Sequence, residues 1–126
     1  MPSNPDQKTI LDYLPLSAYD RIELLKDRRA KDVHRKLSVL FSKIMTMWTD
    51  KVNAYGVERY EVNDLPFDAW MSFTGVWRKH QRLEQLTRSV SEGDKDALRA
   101  IIDAYADSAL YSLSAIVVLS AHLEEK

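Results

Sequence analysis

A chain of 126 residues, 45% hydrophobic and 29% charged with a net charge of -1, has the size and composition of one globular domain. That balance argues against nucleic-acid binding through bulk charge while leaving room for local basic patches, and the lack of cysteine excludes disulfides and thiolate-held zinc. No run of 18 or more apolar residues occurs and the start MPSNPDQKT lacks a signal-peptide pattern, so a soluble, cytoplasmic protein with no membrane span is expected.

Residues 1–16 are punctuated by Pro2, Pro5 and Pro15 and read as an N-terminal arm with one helical turn. Residues 17–126 read as a single α-helical domain. Ser17 followed by Asp20 has the spacing of an N-cap with an acid at the third helical position, so a helix begins there. From Val33 the residues Leu37, Leu40, Phe41, Ile44, Met47, Trp48, Val52 and Tyr55 recur every three or four positions, the mark of a helix with one buried face. Gly56 ends it. The charged stretch KDRRAKD at 26–32 suggests a break near Arg29 to Lys31.

VERYEVNDL at 57–65 reads as a loop, after which Asp64 caps a third helix with Pro66 in its first turn and an end near Arg88. SVSEGDKD then turns the chain, and Asp94 caps a last helix reaching about Leu123. This helix is apolar around most of its circumference from Ala104 onward, which predicts an element surrounded by others. Strand-like alternation is absent, so the expected class is all-α, a helical bundle of four to five helices.

Two constellations carry chemistry. Asp103, Asp107 and Tyr111 stack one turn apart on the last helix, where a carboxylate pair suits a divalent cation or the hydroxyl and amino groups of a ligand. On the third helix Asp68, Ser72, Gly75, Lys79 and Arg82 share a stripe, so Gly75 admits a close neighbour and the two cations suit phosphate oxygens or the aspartates. Ordinary ion pairing accounts for the same residues. Aromatic residues around these segments, Trp48, Tyr55, Phe67, Trp70, Phe73 and Trp77, serve a core, and one or two at a cleft would stack on a base.

Taken in order, the stretches K51-VNA-YG56, K79-HQ-R82-L83 and D103-AYA-D107-SAL-Y111 resemble the MazG-like all-α nucleotide pyrophosphatase superfamily, and within it the phage "nucleotide modification associated" branch. The resemblance covers residues 33–120. It implies a helical bundle, often dimeric, in which acidic helices hold magnesium against a nucleotide's phosphates in a bacterial or phage-infected cell. Asp103 and Asp107 would then be metal carboxylates, and Lys79, Arg82, Tyr111, Lys51 and Tyr55 ligand contacts. The chain departs from that pattern where Ala54 stands in place of an aspartate, and Asp20, Glu23 and Asp27 do not form the E-E-x-x-E helix of hydrolytic members. Three functions follow: magnesium-dependent cleavage of a nucleotide phosphoanhydride, capture of a nucleotide-derived ligand without chemistry, or a structural protein whose arm docks on a partner.

Overall fold

The computed structural model describes residues 7–124. Among them are four α-helices and no strand: α1 (Ala18–Leu24), α2 (Arg28–Tyr55), α3 (Leu65–Ser89) and α4 (Lys95–Glu124), with short 3-10 turns at Ile10–Asp12 and Glu58–Tyr60. The class is all-α, as the periodicity predicts. Two compact units divide the chain, Met1–Lys43 and Ile44–Lys126, so α2 contributes to both. Residues 7–16 of the expected arm fall in the same unit as α1, and its residues 1–6 lie outside the described residues.

In the first unit, the turn expected within the arm is the one at Ile10–Asp12, where the Asp12 carboxylate accepts from the Thr9 amide at 2.9 Å. Ser17 caps α1 by accepting from the Asp20 amide at 3.1 Å. The break before α2 falls at residues 25–27, ahead of the expected Arg29 to Lys31. Asp27 explains the difference: its carboxylate accepts from the Arg29 amide at 2.8 Å and its carbonyl from the Lys31 amide, so it caps α2 and starts that helix at Arg28.

In the second unit the caps fall where the sequence places them. Gly56, at φ +87°, ends α2 in a conformation that a side chain disfavours. Asp64 accepts from the Phe67 amide at 2.9 Å to start α3, and Asp94 accepts from the Ala97 amide at 3.0 Å to start α4 after the turn at Gly93, φ +84°. A turn this short makes α3 and α4 antiparallel. Asp68 meets His122, Gly75 meets Tyr111 and Lys79 meets Asp107, positions that descend along one helix as they rise along the other.

Ile44, Leu83, Ala104, Leu110 and Val118 are buried between these elements. α4 is not surrounded, contrary to the expectation from its composition. Ile102, Tyr105, Val117 and Leu123 are each more than half exposed. Apolar composition registers what a helix needs to cover, and this unit has neighbours for only part of its circumference. By length and composition α4 also passes as a membrane span, with mean hydropathy 1.4 over an 18-residue window that holds no more than two charged residues, although serines and a tyrosine interrupt its apolar residues.

Candidate functional site

The site lies within the second unit, where the last turns of α2, the Glu58–Tyr60 turn and the middle of α4 enclose a cavity of about 320 Å³. Trp48, Lys51, Tyr55, Arg59, Tyr60 and Tyr111 are in its wall, together with Asp107 and Glu58. At its edge Lys51 donates to one Asp107 oxygen at 2.6 Å and Lys79 to the other at 2.9 Å. One carboxylate thus gathers two ammonium groups from two helices. Each ammonium has three donors and gives one to Asp107, so both retain donors for a ligand.

Tyr111, one turn beyond Asp107, carries two cations on its ring: the Arg59 guanidinium at 4.3 Å from the centroid and the Lys79 ammonium at 4.8 Å. Its ring packs against Gly75, where a Cβ would approach within 2.9 Å of Cδ1. A side chain there would push the phenol from this position. In the wall itself Lys51 and Arg59 balance Asp107 and Glu58, and Lys79, reaching Asp107 from α3, adds one positive charge at the edge.

Burial pulls the Asp107 carboxyl upward, but the hydrogen bonds and positive charges of Lys51 and Lys79 outweigh it and hold the group below the usual aspartate range. A base serves proton transfer best near the working pH, so this carboxylate is a weak general base at neutrality. Its role is to place the two lysines.

A hydrogen-bond chain fixes the opposite wall. The Trp48 indole donates to the Tyr60 hydroxyl at 2.8 Å, and the Ser114 hydroxyl donates to the Leu110 carbonyl at 2.8 Å. Since Ser114 has only one hydrogen to give, the 2.7 Å contact between Tyr60 and Ser114 has Tyr60 as donor. The direction of the whole chain is therefore set. It ties α2 and α4 to the 3-10 turn that carries Arg59.

A second cavity of about 470 Å³ adjoins, sharing Glu58, Arg59 and Tyr111 with the first. On its wall Asp68 is buried, and one oxygen accepts from both the Asn63 amide at 3.0 Å and His122 Nε2 at 2.7 Å. The hydrogen bond from His122 holds Asp68 below the usual range, against the upward pull of burial and aided by Asn63.

Of the residues expected at a site, Lys51, Lys79, Asp107, Tyr111 and Tyr55 converge, with Tyr55 largely exposed at the rim. Asp103 and Arg82 do not: both are exposed and neither borders the two cavities. The pairing expected for magnesium changes accordingly. A magnesium ion needs carboxylate oxygens to spare, yet both Asp107 oxygens accept from ammonium groups, Asp103 stands apart, and no cluster of three His, Asp or Glu residues gathers among the described residues. Asp107 here spends its oxygens on two ammonium groups rather than on a cation shared with Asp103, and Glu58 is the other acid in the cavity wall. Arg59, Tyr60 and Ser114 had no signal of their own, since a loop arginine and a tyrosine in VERYEVNDL announce nothing until the turn is folded onto α4.

No protein-family model matches the chain, and no curated protein or solved structure matches it.

Proposed function

We propose that the cavity between α2, the Glu58–Tyr60 turn and α4 binds a small anionic ligand of the nucleotide class without a metal and without cleaving it. The observation that carries this reading is Asp107 holding the ammonium groups of Lys51 and Lys79 at 2.6 and 2.9 Å beside an aromatic-walled cavity. Cations fixed by a carboxylate suit phosphate oxygens, and Trp48, Tyr55 and Tyr111 offer flat surfaces for a ring. At about 320 Å³ the cavity is at the small end of ligand pockets and suits one nucleotide rather than two joined. Hydrolysis is disfavoured, because the carboxylate at hand is paired twice and poorly basic.

Thermal shift and calorimetry with nucleoside mono-, di- and triphosphates, each in magnesium and in chelator, test the proposal. Binding that survives chelation and weakens at least tenfold in Lys51→Ala and Lys79→Ala supports it. No binding of any phosphate ligand sinks it in favour of a structural protein held by ion pairs. A shift that requires magnesium and is accompanied by pyrophosphate release restores the hydrolase.

A further inference from the structure

α4 has a second apolar face, on the side of the helix away from Asp107 and Tyr111. Leu98, Ile102, Tyr105, Ala109, Ser112, Ile116, Leu119 and Leu123 recur at alternating steps of four and three without interruption. A strict 3.5-residue period is the seam of a coiled coil, and a helix packed by chance on a globular core drifts from it. Lys95, the next seam position toward the N-terminus, ends the row. Five of its members, Leu98, Ile102, Tyr105, Ile116 and Leu123, are between 44% and 71% exposed, so no element of this unit covers them.

The row is complementary to itself. Run antiparallel about a point between Leu110 and Tyr111, it sets Leu98 opposite Leu123, Ile102 opposite Leu119, Tyr105 opposite Ile116 and Ala109 opposite Ser112. Large residues meet in the outer layers while the small central pair lets the two backbones approach. Antiparallel pairing also opposes the helix dipoles and brings Lys95 and Arg99 toward the other copy's Glu124. Beside the seam, Ala106, Leu113 and Ser120 carry no charge that would oppose contact. At about 200 Å² for a large residue, the five exposed members offer roughly 600 Å² per chain and about 1,200 Å² for a pair. That area reaches the lower limit of stable specific interfaces.

We propose that α4 pairs antiparallel with α4 of a second copy, crossing at Ala109 and Ser112. Sedimentation of the full chain at micromolar concentration should give twice the 14.6 kDa of one copy. Ala109→Glu, which sets two like charges near the crossing, should return it to one copy with helical circular dichroism unchanged. Because the chain has no cysteine, Leu98→Cys and Leu123→Cys chains can be mixed and oxidised, and the disulfide should join one variant to the other. This cross-link reads the pairing even if Ala109→Glu fails to fold. A single copy at every concentration overturns the proposal, as does a dimer indifferent to a folded Ala109→Glu. Disulfides formed within the Leu98→Cys population alone overturn the antiparallel arrangement. Flotation of the wild-type chain with phosphatidylcholine vesicles, without self-association in their absence, would assign the seam to lipid instead.

Discussion

Asp107 is the residue on which the site turns, and its removal separates two effects. Asp107→Asn keeps the shape and one acceptor oxygen but removes the charge, and the acceptor for one lysine, that hold the two ammonium groups together. It should weaken anion binding about tenfold through lost positioning and lower stability by about 1–2 kcal/mol at neutral pH, as urea unfolding would measure, the partners being too exposed for a larger loss. The pH dependence has a definite sign. The folded carboxyl lies below its unfolded value near 4, so its contribution is complete above about pH 4 and disappears as pH falls through the folded pKa. Stability of the wild type should therefore decline more steeply than that of Asp107→Asn between pH 5 and pH 2. Tyr60→Phe probes the other wall: it leaves the Trp48 indole without its acceptor and should cost about 1–3 kcal/mol, with a changed Trp48 emission. The stacking of Asp107 and Tyr111 one turn apart was legible in the sequence, because helical spacing alone dictates it. Asp103 and Arg82 were misplaced for a physical reason. A step of four residues advances about 40° past a full turn and a step of three falls about 60° short of one, so only one member of each pair points into the space between helices.

Elements, unlike long-range pairs, were almost wholly readable, since caps are local chemistry. Ser17, Asp64 and Asp94 each accept the amide hydrogen bond that their spacing predicts. The exception, Asp27, lay inside a charged stretch that offered several candidate caps. Asp68 and His122 stand 54 residues apart and were illegible until the antiparallel register of α3 and α4 was known. Gly75 is where element and site meet. Gly75→Ala gains about 0.8–1 kcal/mol of helix propensity, yet its methyl must displace the Tyr111 ring and with it the seats of Arg59 and Lys79. The expected outcome is a melting temperature little changed and a ligand affinity reduced at least fivefold, a combination that a purely structural glycine would not produce.

For the molecule as a whole, the paired seam predicts that unfolding depends on concentration. A tenfold increase in protein should add about 1.4 kcal/mol to apparent stability and raise the melting temperature, whereas Ala109→Glu should melt at one temperature throughout. Arg59 has a wider consequence. Its guanidinium stands on Tyr111 and, with Glu58 and Tyr111, borders both chambers. An occupant of the first chamber that draws Arg59 off the Tyr111 ring would therefore alter a boundary of the second as well.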